Sequence, residues 1–153
     1  MSEYDNLSVV KDTYLAYRQH NFPALRECLA SDVRWFAIGP PDAIPSAGVR
    51  YGPDQVEQYF ATLEDVEGVS SFEPREFIVE RDKVVAIGDL DRKVKSTGST
   101  INSPWIHIFT LRRGKIAEFQ SFYDTAAVIN ALELTRARAA SRGRSTDHRS
   151  SIL

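Results

Sequence analysis

The first part of the chain carries hydrophobic residues at helical spacing. The pattern predicts a helix over Leu7–Gln19, a short second helix beginning near Pro23, and a third beginning at Gly52. Proline suits the first turn of a helix because its missing N–H would have no partner there. The predicted inward positions of the three helices are Val10, Thr13, Tyr14, Tyr17, Leu25, Cys28, Leu29, Val56, Tyr59, Phe60 and Leu63.

In the second half of the chain the hydrophobic period changes to two, the spacing of a half-buried strand. The turns between these segments are short, so the strands are predicted to form consecutive antiparallel hairpins. The predicted elements are strands over Phe72–Glu80, Lys83–Lys95, Trp105–Leu111 and Lys115–Tyr123, and a final helix from about Thr125.

A further strand is predicted over Val33–Ile38, and a proline-rich loop follows it. Residues 39–48 include Pro40, Pro41 and Pro45, and a glycine stands at each end of the segment. This composition excludes regular structure. The segment is longer than a minimal connection, so we expect it to form a lid or a rim beside a site.

Helices followed by a run of long strands predict the α+β class. A meander of long strands must twist and curl. We therefore expect a cone-shaped, curved, mainly antiparallel sheet packed on the N-terminal helices, with a cavity on its concave face. Its outward face would carry Ile106, Ile108 and Phe122, which are too apolar for open solvent, so we expect a homodimer through that face.

Composition narrows the class of protein. The 153 residues predict one domain. Cys28 is the only cysteine, which excludes an internal disulfide. No signal peptide and no apolar run long enough to cross a bilayer is evident, so we expect a cytoplasmic protein with no membrane partner. From Thr135 the chain is rich in arginine and serine, so we expect a domain over residues 1–134 and a basic, disordered tail over 135–153.

The acidic body of the chain argues against nucleic acid as a partner, since phosphate backbones bind basic surfaces. No glycine-rich phosphate loop is present, and His20, His107 and His148 lie in unrelated segments. We therefore expect neither a cofactor nor a metal ion.

His107 is the first candidate for chemistry. Strand alternation places it on one face with Trp105 and Phe109, and places Ser121 with Phe119 and Tyr123 on the facing strand. An inward imidazole among aromatic rings is either a proton donor, acceptor or ligand anchor, or a core histidine with a satisfied hydrogen bond. The pattern leaves both readings open.

Three aspartates form the second group of candidates. Asp89 and Asp91 lie in a long strand, where an inward carboxylate would be a base with a raised pKa. The alternative is that both face solvent or pair with Arg92. Asp124 precedes the last helix, so it is expected to cap that helix more than to act as a catalyst.

Several segments together resemble a known group of proteins. These are the helix with Asn21-Phe22-Pro23-Ala24-Leu25, then Ser31-Asp32-Val33-Arg34-Trp35, the proline loop, Gly48-Val49-Arg50-Tyr51-Gly52, Phe109-Thr110-Leu111-Arg112-Arg113-Gly114-Lys115-Ile116 and Phe122-Tyr123-Asp124-Thr125. Over residues 5 to 134 the chain is similar to the SnoaL-like, ketosteroid-isomerase-like proteins of the nuclear transport factor 2-like superfamily. The resemblance implies a cone-shaped α+β fold with a pocket for a small hydrophobic molecule, often in a dimer.

The resemblance also bears on the catalytic residues. The cyclases and epoxide hydrolases of this group carry an essential aspartate seven residues after the glycine of the last turn. That glycine is Gly114 here, and the corresponding position is Ser121. A serine cannot replace a carboxylate as a base at neutral pH. The resemblance further implies that His107 stands at the position of a polar pocket residue.

These observations lead to three hypotheses of function. The first is a cofactor-independent enzyme of isomerase, cyclase, dehydratase or epoxide-hydrolase type that acts on a small hydrophobic substrate. The second, favoured by Ser121, is a binding or carrier module for a small apolar ligand. The third is a structural, dimer-forming domain. The candidate catalytic residues are His107, Asp89, Tyr123 and Ser121, and those expected to line one substrate cavity are Tyr17, Trp35, Phe60, Trp105, Phe109 and Phe119.

Overall fold

The structure is a computed structural model that describes residues 2–69, 71–93 and 99–133, together with Ser141. Three helices lie in the N-terminal half, and a fourth follows the last strand. The first begins with a capping box, in which Ser2 and Asp5 satisfy each other's backbone N–H groups. The helices are α1 (Glu3–Arg18), α2 (Phe22–Glu27), α3 (Gly52–Asp65) and α4 (125–133).

Six strands form one curved sheet. They are β1 (Leu29–Ala37), β2 (Gly48–Tyr51), β3 (Pro74–Glu80), β4 (Lys83–Lys93), β5 (Thr100–Arg112) and β6 (Lys115–Tyr123). Their order across the sheet is β2-β1-β6-β5-β4-β3. Neighbouring strands pair antiparallel, except that β1 and β6 run parallel.

The predicted α+β fold is confirmed, with two differences in the sheet. The hairpins β3–β4, β4–β5 and β5–β6 are antiparallel as expected. The parallel pairing of β1 with β6 was not predicted, because it joins strands from opposite ends of the chain and leaves no local pattern. The four-residue strand β2 was also missed, since it follows the proline loop directly. The predicted tail, 135–153, lies outside the described residues except for Ser141.

The pairing arranges the concave face of the sheet in rows. One row runs across β1, β6, β5 and β4 through Trp35, Phe119, Phe109 and Val84. The next row has the same order and consists of Ala37, Ser121, His107 and Ala86. His107 is therefore the one large side chain in its row.

Gly88 shows how tightly one of these rings packs. A Cβ atom at Gly88 would lie 2.3 Å from Cζ2 of Trp105 and 2.9 Å from the carbonyl oxygen of Glu73. No side chain fits that space, so the residue must be glycine for the Trp105 ring to lie across β4. This contact fixes the position of Trp105 beside His107, with ring centroids 4.2 Å apart.

The outward face of the sheet is partly apolar. Ile106 is 42% exposed, and Ile108 and Phe122 are half-buried. Their orientation is the one that alternation predicted. The homodimer expected through this face stays a prediction. None of the helices in the described part of the chain combines the length and the apolarity needed to span a membrane.

Candidate functional site

A main cleft opens between the sheet, the end of α3, the loop before β2, and α4. Its volume, taken as the space that the centres of water molecules can occupy, is about 40 Å³. Most of its wall is apolar, and the polar groups are few. The cleft is lined by Ser46, Tyr59, Leu63, Glu67, Val69, Phe72, Leu90, Ile101, Ser103, Trp105, Ser121, Tyr123 and Val128. A concave, mainly apolar space with a few polar groups is the usual form of a small-molecule site.

Glu67 is the carboxyl group of this cleft. Its residue is 7% exposed. One carboxylate oxygen accepts a hydrogen bond from the Ser46 backbone N–H at 3.0 Å, and the other accepts from Ser46 Oγ at 2.9 Å. Burial raises the pKa of the Glu67 carboxyl, although the two Ser46 hydrogen bonds and the Arg50 charge act against that rise. Such a group holds a proton more readily than an exposed glutamate does.

The same contacts hold the proline loop over the cleft. Ser46 is attached to Glu67 on one side, while the Arg50 guanidinium donates to the carbonyl oxygens of Pro45 and Ser46. Tyr123 Oη donates to the carbonyl oxygen of Ile38 at 2.8 Å, just before the loop. The loop thus contributes Ser46 to the wall of the cleft.

The hydroxyl groups on β5 and β6 differ in their partners. Ser103 Oγ accepts the backbone N–H of Asp124 at 2.8 Å and donates to its neighbouring carbonyl oxygen. Ser121 is 3% exposed and lines the cleft. Asp124 accepts the backbone N–H of Ala127 at 3.1 Å, so the predicted helix cap is confirmed.

A smaller inner cavity lies next to the main cleft, with Tyr59 and Phe72 in the walls of both. Its volume on the same measure is about 20 Å³. This is room for one or two atoms of the size of a water oxygen. The inner cavity is lined by Thr13, Tyr14, Tyr17, Trp35, Tyr59, Phe60, Phe72, His107, Phe109 and Phe119.

His107 is enclosed by the aromatic side chains of the inner cavity. Its Nδ1 atom lies 2.7 Å from the hydroxyl oxygen of Tyr14, and its Nε2 atom has no partner in the described part of the chain. Burial lowers the pKa of the imidazole from its ordinary 6.5 to about 3. The ring is therefore neutral near pH 7, and in this enclosed state it is a poor acceptor of a proton.

The structure divides the predicted substrate residues between the two spaces. Trp105 lines the main cleft together with the candidate residues Ser121 and Tyr123. The inner cavity is lined by His107 and by the remaining five, Tyr17, Trp35, Phe60, Phe109 and Phe119. The single cavity expected from strand alternation is thus two adjacent ones, because the aromatic rings pack against each other between them.

Asp89 does not reach either space. Its carboxylate is 62% exposed and pairs with the Arg75 guanidinium at 3.2 Å. The reason is alternation on β4, where Val84, Ala86 and Gly88 face inward and the odd-numbered positions face out. The hypothesis of Asp89 as a base inside the pocket is therefore wrong in its placement. Asp91 is exposed as well.

Two residues of the site were not identified from the sequence. Tyr14 was recognised only as part of a helical stripe, and its hydroxyl contact with β5 leaves no sign in α1. Glu67 lies in the segment between α3 and β3, which has no regular period. The described residues include no group of three or more His, Cys, Asp or Glu side chains placed to hold a metal ion.

Comparison with protein-family models identifies the domain. The model of the SnoaL-like domain matches residues 10–119, which run from α1 into β6 and make up more than half of the chain. The chain belongs to the SnoaL-like domain family. The range includes Glu67 and His107, while Ser121 lies two residues beyond its end.

Solved structures share the fold of this SnoaL-like domain. A nuclear transport factor 2-like protein from Burkholderia xenovorans is 25% identical and has a TM-score of 0.75, over 86% of this chain and 98% of that one. TerC, co-crystallised with polyporic acid, is 24% identical with a TM-score of 0.75, over 84% and 98% of the two chains. A protein from Jannaschia sp. that is named as a SnoaL-like polyketide cyclase is 20% identical with a TM-score of 0.70, over 84% and 92%. Among curated proteins no match is found.

Proposed function

We propose that this SnoaL-like protein is a cofactor-independent enzyme that moves a proton on a small, largely apolar substrate in the main cleft. Glu67 is the proton-transfer group in this proposal. The observation that carries it is a buried carboxyl, with a raised pKa, in the wall of an otherwise mostly apolar cleft. Perturbed ionisable groups in concave sites are typical of catalytic acids and bases.

Glu67 also supplies the carboxyl group that β6 lacks. The resemblance to cyclases and epoxide hydrolases implies a carboxylate at the position of Ser121. Ser121 and Glu67 line the same cleft from different elements. A carboxyl from the segment after α3 can therefore serve the space that an aspartate on β6 would serve. Isomerases, cyclases, dehydratases and epoxide hydrolases all need such a group.

The hydrogen bonds of Glu67 leave it able to react. A carboxylate has about four acceptor positions on its two oxygens. Ser46 occupies one position on each oxygen, so each oxygen keeps a further position. In an isomerisation the carboxylate takes a proton from a substrate C–H bond and returns it at another atom. The enzyme then ends in its starting state.

A carrier is the second candidate, and one observation favours it. Both oxygens of Glu67 bind Ser46, which fastens the proline loop to the segment after α3. In a carrier that attachment would be the whole role of the carboxyl group. The apolar wall of the cleft would then bind a ligand without changing it.

Proton exchange distinguishes the two candidates without knowledge of the natural substrate. The probe is 1-indanone in D₂O, whose protons next to the carbonyl exchange for deuterium when a base removes them. Wild-type protein should speed this exchange, and Glu67→Gln should slow it about 100-fold or more, the usual contribution of a general base. Opening of styrene oxide, followed on the same variants, tests the epoxide-hydrolase alternative.

The matched control is Glu57→Gln, which removes a glutamate of α3 that pairs with Arg26 at the surface. This variant should catalyse proton exchange in 1-indanone as fast as the wild type. If 1-indanone binds and neither probe reacts faster than in buffer, the protein is a carrier. If Glu67→Gln catalyses the exchange as fast as the wild type, Glu67 is not the base.

A further inference from the structure

Unpartnered nitrogen atoms are concentrated around the aromatic interior. His107 Nε2, Trp35 Nε1 and Trp105 Nε1 are buried and have no hydrogen-bond partner in the part of the chain that the structure describes. A buried N–H without an acceptor costs about 1–3 kcal/mol. Native proteins leave few such groups, and each one needs an explanation.

The contact with Tyr14 decides which nitrogen of His107 carries the proton. A neutral imidazole has one N–H and one acceptor nitrogen. If Nδ1 carried the proton, the Tyr14 hydroxyl hydrogen and the Nε2 lone pair would both lack partners. If Tyr14 Oη donates to Nδ1, only the Nε2–H remains unpaired. The second arrangement satisfies more groups, so His107 presents an N–H donor at Nε2.

The other hydroxyl groups around the inner cavity are mostly engaged already. Thr13 Oγ1 donates to the carbonyl oxygen of Val9 at 2.9 Å, and Tyr17 Oη donates to that of Val69. His107 and Trp35 are among the residues that line this cavity, and the Nε2 atom of His107 and the Nε1 atom of Trp35 have no hydrogen-bond partner in the described part of the chain. Two residues with an unpaired N–H therefore border a space with mostly aromatic walls that has the size of an oxygen atom or two.

We propose that the inner cavity is a subsite for one acceptor oxygen of the ligand, which accepts hydrogen bonds from His107 Nε2–H and Trp35 Nε1–H. The ligand is then a flat, apolar molecule with a carbonyl-type oxygen at one end. Its apolar body would lie in the main cleft, and its oxygen would reach the inner cavity at Tyr59 and Phe72, the two residues that line both spaces. This inference rests on the proposed function only for the binding of a small apolar molecule in the main cleft.

In this proposal Tyr14 is a positioning residue. Its hydroxyl hydrogen bond to Nδ1 keeps the proton of His107 on Nε2. The ring of Tyr14 also lies nearly parallel to the imidazole, with an interplanar angle of 7° and ring centroids 5.9 Å apart. Loss of the hydroxyl group would free the imidazole to place its proton on either nitrogen. The donor would then be present only part of the time.

Two probes of nearly the same shape test the subsite: 1-indanone, which has a carbonyl oxygen, and indane, which has none. His107→Leu should weaken 1-indanone binding about tenfold, the upper range for one neutral hydrogen bond, and change indane binding less than twofold. His107→Gln retains an N–H donor and should recover part of the loss. Tyr14→Phe should weaken 1-indanone binding by a smaller factor than His107→Leu.

The infrared carbonyl stretch of bound 1-indanone gives a second readout that needs no variant. It should lie at lower frequency in the wild-type complex than in a dry alkane, because hydrogen bonds weaken the C=O bond. A bound band at the alkane frequency would overturn the subsite, even if His107→Leu failed to fold. Equal losses of affinity for 1-indanone and for indane in a folded His107→Leu variant would overturn it too.

These outcomes are separable from those of the proposed function. A lowered carbonyl frequency without proton exchange would leave the subsite in place and remove the enzyme hypothesis. Proton exchange that depends on Glu67, together with an unshifted carbonyl band, would leave the enzyme and remove the subsite.

Discussion

The aromatic region around the inner cavity and the main cleft lie side by side on the concave face, yet they are built differently. In the aromatic region rings pack directly, with Trp35 on Phe119 at a centroid distance of 3.8 Å and Tyr17 on Phe60 at 4.3 Å. The main cleft is enclosed by the proline loop, the segment after α3, and α4. The proline loop and α4 meet the start of β5 in a separate small apolar cluster that includes Ile44, Ile101 and Val128.

Because the two regions are built differently, we expect the aromatic region to contribute mainly to stability and the main cleft mainly to reactivity. Sheet rows and ring contacts hold the aromatic region, and burial there keeps its ionisable groups neutral. The cleft has fewer packed rings, and it contains a carboxyl group with oxygen positions still open to a substrate. The first region is expected to respond to substitution by unfolding, whereas the second should respond by a change in chemistry.

The largest expected effect is the loss of packing at Phe109. Phe109→Ala removes a fully buried ring that contacts Tyr14 and Phe119, which should cost about 3–5 kcal/mol of unfolding free energy. For a domain of this size the melting temperature should fall by roughly 10 °C. Ser121→Ala, on the neighbouring row, is the matched cleft variant and should change it far less. Equal losses for the two variants would contradict the distinction between the regions.

Acid should destabilise the protein through His107. The pKa of its imidazole is about 3 in the fold and near 6.5 when unfolded, so between these values the unfolded chain binds more protons. Stability should therefore fall as the pH drops from about 6.5 to about 3. In His107→Gln this part of the fall should disappear from urea unfolding curves.

His20→Gln is the control for this titration, because His20 is an exposed histidine that contacts Glu64. It should retain the steep acid dependence of the wild type. A His107→Gln variant whose stability falls with acid as steeply as the wild type would show that the imidazole is not held neutral.

Strand alternation accounts for what the sequence could predict. Successive side chains of a strand point to opposite faces of the sheet, so each strand residue can be assigned to one face. Trp35, Phe109 and Phe119 were correctly expected to face inward with His107. The same rule places Asp89 outside, since it follows the inward Gly88. The parallel contact of β1 with β6, which brings Trp35 onto Phe119, needs tertiary structure and has no local signal.

Glu67 shows why the rest of the site was not predictable. It stands between α3 and β3, where no period indicates a face. Its burial depends on Ser46, 21 residues earlier in the chain, and on the proline loop that carries it. A surface glutamate and a buried one look alike until that loop is placed. The division of one expected cavity into two likewise depends on ring packing and not on strand faces.

Substitution of Glu67 is expected to have a moderate effect on stability. Because burial raises the pKa of this carboxyl, its contribution to stability is complete below the unfolded value of 4.5 and is lost as the pH rises through the folded value. Glu67→Gln removes the cost of the buried charge, so its melting temperature should exceed the wild-type value more at pH 8 than at pH 4. Glu57→Gln should show no such pH-dependent difference. An equal difference at both pH values would mean that the pKa of the Glu67 carboxyl is the same in the folded and the unfolded chain.

Substitution on the outward face of the sheet is expected to have the smallest effect on the main cleft and on the aromatic region. Ile106 lies on the opposite side of β5 from His107 and is 42% exposed, at the centre of the surface through which a homodimer is predicted. Ile106→Lys should convert a dimer to a monomer of 17.2 kDa in light scattering, because a buried lysine without a partner is costly.

The control is Tyr4→Lys, at an exposed position of α1, which should leave the mass unchanged. Binding of 1-indanone should be the same in both variants, since neither side chain lines the cleft or the inner cavity. A wild-type protein that is already monomeric at micromolar concentration would rule out the dimer while leaving the contrast between the two inward regions intact.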